Sequence, residues 1–252
     1  MKQLPEILKT SAVVLRARNY NEADQLLTLY TEKAGKLAAI VKGVKKPKSK
    51  LRGGVQVFSH TNVVLYLGKN LATVTQAEPI NTFAPLREDL SRMSSTAYLA
   101  DLLENLIPEG ESDEKLFKVI LMGLYLLSLE EPWLATKVME LRLLRQLGYE
   151  PILGSCANCG RKEAGINYFS PELGGFLCGQ CLSDKPGLSV VKASGETCVI
   201  LRQLMTMELR KINRLRISTN AKKELDEILD LHIVFCLGKK LKSKEFLNAL
   251  TI

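Results

Sequence analysis

Two Cys-x-x-Cys pairs constrain the fold of this chain more than any other feature of its sequence. The first pair is Cys156 and Cys159, the second is Cys178 and Cys181, and 18 residues separate the pairs. Each short turn directs two sulfurs toward one point, and the spacer lets the second turn close over the first. Four thiolates in this arrangement are the ligand set of a structural, tetrahedral Zn²⁺ site. We therefore predict a structural zinc ion at these four cysteines.

The same four cysteines have two other interpretations, a redox-active pair or a set of disulfides. Gly160 follows the first pair and Gly179 lies inside the second, which suits the tight turns of a zinc site. Residues 168–176 have the pattern of a small hairpin that carries the second pair. A closed four-thiolate site has no free coordination position, so it supports structure and does not catalyse a reaction.

The composition is that of an ordinary globular protein, with 46% hydrophobic and 25% charged residues among 252. The longest uncharged apolar run, Val119–Leu129, is far too short to cross a bilayer. The N-terminus has no apolar core of a signal peptide. Reduced thiolates that hold a metal also suit a reducing compartment. We therefore expect a cytoplasmic protein that does not associate with membranes.

Positive charge is concentrated in one segment of the chain. The net charge is +8, and residues 33–77 hold nine Lys or Arg and no Asp or Glu. Six of these cations fall within residues 42–52. An acid-free run of this kind is either a solvated, mobile loop or a binding site for a phosphate chain, and self-repulsion favours the second. The predicted DNA-binding residues are Lys36, Lys42, Lys45, Lys46, Lys48, Lys50 and Arg52.

A second, weaker basic cluster lies near the C-terminus. It is a candidate for a further DNA contact or for a surface that receives an acidic protein tail. Its members are Arg210, Lys211, Arg214 and Arg216.

The first 80 residues have the pattern of a small β-barrel. Five short segments are rich in β-branched and aromatic residues, and turn residues separate them. Five strands with one long basic connection predict an OB-type barrel, which often binds nucleic acid across a strand face and its loops. The expected strands are 11–18, 25–31, 36–42, 55–67 and 71–76. Four aromatics, Tyr20, Tyr30, Phe58 and Tyr66, are available for base stacking, but we expect them in the core.

After residue 80 the apolar period becomes that of helices. The pattern predicts five helices. The first ends near Pro108, the second covers 115–129, and the third runs from Pro132 to Gly148. The last two cover 193–210 and 221–237. We expect the second of these to be central, because it is apolar nearly all round. The predicted fold class is α+β, with an OB-type domain over 1–80 and a helical domain over 81–252. The zinc module is expected at 152–184, inserted between helices.

Sequence motifs of common enzymes are missing from the chain. There is no G-x-x-x-x-G-K-[ST] phosphate loop, no G-x-S-x-G elbow and no H-E-x-x-H helix. The two histidines, His60 and His232, are remote from the cysteines in sequence, so a hydrolytic zinc site has no candidate base. The remaining cysteines, Cys198 and Cys236, are expected to be small core residues. We predict that the protein has no catalytic residues and is not an enzyme.

Four stretches together resemble the bacterial RecO family of recombination mediators. They are Asn21 to Thr31, where the family tends to have Gly-Glu-x-Asp, residues 35–53 with the basic run, Leu144 to Gly160, and Gly174 to Cys181. No one of these motifs is diagnostic, but their combination is specific. Their order and the domain plan also agree with the family, so the likeness covers nearly the whole chain. Asn21 replaces the usual Gly, and Val57 stands where Pro is frequent before Phe58.

The resemblance implies binding to single- and double-stranded DNA and ATP-independent annealing of complementary strands. It also implies partnership with RecR and with the tail of single-stranded DNA-binding protein, to help load the RecA recombinase. A nucleoid-associated location follows from that role. The alternatives are a zinc-stabilised protein adaptor, a DNA-binding regulator without annealing activity, and a nuclease. A sequence-specific regulator requires a recognition helix that reads bases, and a nuclease requires clustered acidic residues. The sequence offers no strong candidate for either. Whether the zinc module itself contacts DNA stays open, although structural support is favoured.

Overall fold

The computed structural model describes residues 6–69, 71–162, 167–185 and 187–250. These residues form two compact units. The first contains the described residues up to Pro132 and those from Ser243 onward, and the second spans Trp133–Lys242. The boundary predicted at residue 80 marks the end of the barrel strands, and the compact unit around the barrel extends further, through three helices. No described helix is long and apolar enough to cross a membrane.

The N-terminal strands form the predicted five-stranded OB-type barrel. β1 pairs with β2 on one side and with β4 on the other. β3 pairs with β2 and, in parallel, with β5. The pairing of β4 with β5 completes the ring. Each strand thus has two neighbours, and the contact that closes the ring, between β3 and β5, spans two residue pairs. The strands are β1 Ile7–Tyr20, β2 Asp24–Thr31, β3 Gly35–Val41, β4 His60–Tyr66 and β5 Ala72–Asn81.

Alternation along the strands fills the barrel interior. Every second side chain points inward, as in Leu27 and Leu29 on β2, which are almost completely buried. Two valines of the long connection, Val44 and Val55, belong to the same core cluster. The strand predicted over 55–67 begins only at His60, because residues 52–55 instead form a 3-10 helical turn.

Four α-helices belong to the described part of the first unit. Two ion pairs fasten α2 to the barrel, from Arg16 on β1 to Asp101 at 3.0 Å and to Glu104 at 2.8 Å. This explains why the compact unit extends past residue 80. The helices are α1 Pro85–Glu88, α2 Leu90–Leu106, α3 Glu114–Leu129 and α8 Lys242–Leu250.

Two expectations about these helices need correction. α3 is not buried all round, because Tyr125 is 49% and Leu129 is 75% exposed. Helices α1 and α8 were not predicted. α1 is a single turn, and α8 is a short helix with no buried residue, so neither has an extended apolar period.

In its described residues, the second unit combines four α-helices with a small sheet. Its elements are α4 Pro132–Gln146, β6 Tyr168–Ser170, β7 Gly175–Leu177, α5 Gly179–Ser183, β8 Val191–Lys192, α6 Gly195–Thr206 and α7 Thr219–Leu237. The predicted hairpin is formed by β6 and β7, and β8 adds a third strand that the sequence did not indicate. α4 ends two residues before Gly148, the predicted cap, whose φ is +81°. The N–H of Tyr149 then donates to Leu144 O at 2.7 Å, which caps the helix.

A buried cation joins α4 to α7. Lys137 is 1% exposed, and its Nζ lies 2.8 Å from both a carboxylate oxygen of Glu140 and one of Asp226. Trp133 Nε1 donates to the same Asp226 at 3.1 Å. Burial opposes the charge on Lys137, but the carboxylates of Glu140, Asp226 and Asp230 outweigh it and raise its pKa. Removal of the ammonium would take this counter-charge away from the buried Glu140 carboxylate.

We expect Lys137→Ala to destabilise the second unit by about 3–5 kcal/mol, because it removes the cation of a buried ion pair with Glu140. Urea unfolding followed by the fluorescence of Trp133, the one tryptophan in the chain, measures the change. Arg145→Ala on the same helix is the matched control. Its ion pair with Glu150 is about half exposed, so about 0–1 kcal/mol is expected. An unchanged unfolding midpoint for Lys137→Ala would contradict the prediction.

Candidate nucleic-acid interface and metal site

The basic connection between β3 and β4, residues 42–59, is folded onto the barrel. We name its first part, residues 42–52, the basic loop. The N–H of Gly43 donates to Asp24 Oδ1 at 2.7 Å, and the N–H of Lys45 donates to Ala23 O at 3.0 Å. Between these two bonds, Val44 is 2% exposed and is packed in the barrel core. The start of the basic loop is therefore fixed at three consecutive residues.

Arg52 closes the basic loop upon itself. Its guanidinium donates to the carbonyl of Val44 at 3.4 Å, of Lys45 at 2.5 Å and of Lys46 at 3.1 Å. The basic loop is therefore held in place by internal hydrogen bonds of its own backbone groups. Arg52 thus braces the loop through three backbone carbonyls, and its side chain is exposed.

Five lysines remain on the outside of this folded loop. All five are exposed, and no ion pair joins them to a carboxylate in the described part of the chain. They are Lys42, Lys45, Lys46, Lys48 and Lys50. Backbone hydrogen bonds oppose the mutual repulsion of these ammonium groups, so the array is held together before any ligand arrives. A pre-organised array of this kind suits a polyanion.

Lys36 was predicted with these lysines but has a different place in the fold. Its Nζ donates to the carbonyl of Glu104 at 2.6 Å, near the C-terminal end of α2, and the side chain is half-buried. A cation at this helix end is stabilised by the helix dipole. The side chain is thus already engaged within the first unit.

The short motif before β2 explains how the basic loop is positioned. Asn21 has a φ of +53°, in the left-handed region that Gly and Asn adopt most readily. Asn is therefore a physical substitute for the Gly that the resembled family tends to have there. Asp24, the last residue of the motif, provides the carboxylate that receives Gly43. Sequence reasoning recorded the motif but did not identify Asp24 as the anchor of the loop.

The four aromatics of the barrel divide into two pairs. Tyr30 and Phe58 are buried, as expected. Tyr20 and Tyr66 are 46% and 42% exposed, so the expectation that they belong to the core was wrong. Both lie at strand ends, and the alternation along each strand places them on the outer face of the barrel.

The second basic cluster lies in and after a 3-10 helix over Leu209–Arg214 in the second unit. Glu208 forms ion pairs with Arg210 at 3.1 Å and with Lys211 at 3.3 Å. Arg214 and Arg216 are exposed and have no ion pair with a described residue. The local positive field is therefore weaker than that of the basic loop.

The four cysteines of the two pairs meet in the second unit. Their sulfurs all lie within 4.8 Å of one another, and Cys159 Sγ is 3.9 Å from Cys178 Sγ. Sulfurs around a tetrahedral zinc ion with bonds of about 2.3 Å are about 3.8 Å apart. The thiols are free, three of them are buried, and Cys159 is exposed. The spacing and donor set fit a metal ion.

Local backbone bonds assemble the two turns into one site. The N–H of Cys178 points at Cys156 Sγ at 3.4 Å, and the Asn158 amide donates to Cys181 Sγ at 3.3 Å. Gly175 allows β7 to approach the first turn closely, since a Cβ there would lie 2.5 Å from Ile152 O. Such N–H···S bonds favour thiolates over thiols, as metal binding requires.

The thiol pKa values differ strongly within this cluster. Burial alone would raise the pKa of Cys156, but backbone N–H groups, first that of Cys159 and then that of Cys178, lower it to about 6. The Asn158 amide favours a thiolate at Cys181, yet burial and the neighbouring sulfurs raise that pKa to about 12. Four thiolates therefore repel one another, and a divalent cation would remove this repulsion.

The other titratable candidates lie apart from the metal-ligand cluster. His60 Nε2 is 2.6 Å from Ser11 Oγ, and His232 Nε2 donates to Tyr149 O at 2.8 Å. Burial lowers the pKa of both imidazoles. Among the described residues, the cluster able to bind a metal consists of cysteines alone. Cys198 is buried, as expected of a core residue, and Cys236 is partly buried.

We expect Asp24→Ala to release the start of the basic loop, because the Gly43 N–H loses its charged acceptor. A bond of this type contributes about 1.5–3 kcal/mol. Trypsin should then cleave after the loop lysines faster than in the wild type, as measured by mass spectrometry of the fragments. Asp24→Asn keeps an acceptor oxygen and should be cleaved at an intermediate rate. Equal cleavage rates in all three proteins would show that Asp24 does not anchor the loop.

Comparisons with known proteins agree with the domain order described above. Family models described as "Recombination protein O N terminal" and "Recombination protein O C terminal" match residues 1–83 and 87–245. The DNA repair protein RecO of Pelotomaculum thermopropionicum is 37% identical over 243 residues, which cover 96% of this chain and 94% of that protein. That of Heliobacterium modesticaldum is 41% identical over 228 residues, covering 88% and 82%. The chain therefore belongs to the RecO family of DNA repair proteins.

Proposed function

We propose that this protein is a recombination mediator that anneals complementary DNA strands without ATP and helps to load the RecA recombinase. The observation that carries the proposal is the ordered, acid-free lysine array on an OB-type barrel. The five exposed lysines have no carboxylate partner among the described residues, and Asp24 and Arg52 hold the loop that presents them. Membership of a DNA repair family makes DNA the natural polyanion.

Strand annealing follows from what lysines recognise. Two complementary strands repel each other through their phosphates, and bound ammonium groups reduce this repulsion. Phosphate contacts leave base edges free, so base pairing supplies the sequence match and the protein supplies only proximity. No nucleotide hydrolysis is needed, which agrees with the missing phosphate-loop motif. We accordingly propose a DNA-binding protein without catalytic residues.

We propose that a structural zinc ion occupies the four-cysteine cluster. Cys156, Cys159, Cys178 and Cys181 would hold it as four thiolates, and its charge would offset theirs. It would link the two turns of the second unit and support the fold there. The nearby Arg161 donates to Gln180 Oε1 at 2.8 Å, which favours a scaffold over a DNA contact surface.

The protein partners are proposed from the family resemblance. RecR and the acidic tail of single-stranded DNA-binding protein are the expected partners, and the nucleoid is the expected location. Arg210, Lys211, Arg214 and Arg216 are proposed as a second contact, for DNA or for that tail. A protein adaptor without annealing activity is the alternative function, and the exposed side chains of α3 give it some support.

Changing Lys45, Lys46, Lys48 and Lys50 to Glu should abolish annealing, because the loop would then repel phosphates. The measurement is the annealing rate of two labelled oligonucleotides without nucleotide across a salt series. For the wild type, neutralisation of about five phosphates predicts a slope of log K against log salt near −3.5.

In the control variant, four exposed lysines outside the loop are changed to Glu, so that its net charge equals that of the loop variant. It should anneal at a rate close to that of the wild type. Its positions are Lys115, Lys162, Lys223 and Lys239. Unchanged DNA affinity of the loop variant would show that the loop is only a solvated surface. Failure of the wild type to anneal at any salt concentration would favour the adaptor.

Changing Cys156 and Cys159 to Ala should release the metal and destabilise the second unit, because two of four ligands are lost. Metal content by elemental analysis and urea unfolding by Trp133 fluorescence check the two effects. Cys198→Ala is the control, since this cysteine lies outside the cluster and should leave metal content unchanged. A double variant that unfolds normally but binds DNA poorly would instead make the module a contact surface.

A further inference from the structure

The end of β1 presents a cation and an aromatic ring on one face of the barrel. Arg18 of β1 pairs with Leu26 of β2, and Tyr20 of β1 pairs with Asp24 of β2. Ala17, directly before Arg18, pairs with Leu27, which is 2% exposed and belongs to the core. Because successive side chains of a strand alternate, Arg18 and Tyr20 share the outer face.

This outer face is continuous with the basic loop. Tyr20 is directly opposite Asp24, and side chains in such a pair have Cβ atoms about 5 Å apart. Asp24 in turn receives the N–H of Gly43 at 2.7 Å, and Ala23 O receives that of Lys45. The hairpin tip that carries Tyr20 is thus hydrogen-bonded to the loop that carries the lysines.

The two side chains are available to a ligand. Tyr20 is 46% exposed, and Arg18 is exposed without an ion pair to any described residue. Arg16, two residues earlier on the same face, contrasts with Arg18 because Asp101 and Glu104 neutralise it. The nearest exposed acid along the chain is Glu22, at the hairpin tip.

We propose that Tyr20 stacks an unpaired DNA base while Arg18 binds a phosphate of the same strand. This inference rests on the proposed DNA-binding function and adds to it a means of distinguishing single strands from duplexes. Lysines of the basic loop contact any phosphate chain, but a base can cover the Tyr20 ring only when it is unstacked from a duplex. The outer face of β1 therefore orients a single strand whose remaining bases stay free to pair.

The discriminating experiment compares three ligands of equal length at one salt concentration. They are a fluorescent oligo-dT, an abasic oligonucleotide that keeps the phosphates and lacks the bases, and a duplex. The wild type should bind oligo-dT more tightly than the abasic strand. Tyr20→Leu should lose about fivefold or more in affinity for oligo-dT and show little change for the other two ligands. Tyr20→Phe keeps the ring and should bind as the wild type does.

Two further variants separate stacking from charge and from the fold. Tyr66→Leu is the matched control, because Tyr66 is 42% exposed on the same barrel but pairs with Ile7 at the other end of β1. It should leave all three affinities unchanged. Arg18→Gln should weaken binding to every ligand and reduce the salt slope for oligo-dT by about 0.7.

Failure of this inference is distinguishable from failure of the proposed function. If the loop variant loses DNA binding while Tyr20→Leu binds oligo-dT normally, the stacking site is refuted and the DNA-binding function stands. If Tyr20→Leu weakens all three ligands equally, Tyr20 acts through the fold and the inference is again refuted. If the wild type binds none of the ligands, the proposed function fails first.

Discussion

The hydrogen bond from the Gly43 N–H to the Asp24 carboxylate is the interaction on which the ordered lysine array of the basic loop depends. Five exposed lysines in one short loop repel one another, so the loop would spread if its backbone were free. The 2.7 Å bond, the buried Val44 and the Arg52 brace oppose that repulsion. The positive charge is therefore available to a ligand without the cost of ordering the loop.

The two units carry different clusters of charged and metal-binding residues. The first unit carries the lysine array and the exposed end of β1, while the second carries the four-cysteine cluster and the buried Lys137. Both clusters in the second unit join segments that are distant in sequence: Cys156 meets Cys181, and Lys137 meets Asp226. The four-cysteine cluster and the buried ion pair therefore connect distant segments of the second unit, whereas the basic loop presents its lysines to solvent.

The local signals of the sequence predicted most of the fold and part of the site. Period-two and helical patterns located the five strands and five of the helices, and Gly148 marked the end of α4, because these features depend on neighbours along the chain. Burial of α3 and the exposure of Tyr20 could not be derived in that way. Both depend on whether another element packs against that surface, and the residues of such an element are distant in sequence.

The sequence by itself determined the chemistry of this protein: four thiolates at metal-binding spacing, and an acid-free run of lysines on a barrel of five strands. The tertiary structure decided which members of these sets are free to act. It engages Lys36 with a helix end and Arg52 with the loop backbone, and leaves Arg18 exposed. The physical reason is that the type of a side chain fixes what it can bind, whereas its availability depends on partners that only folding brings near.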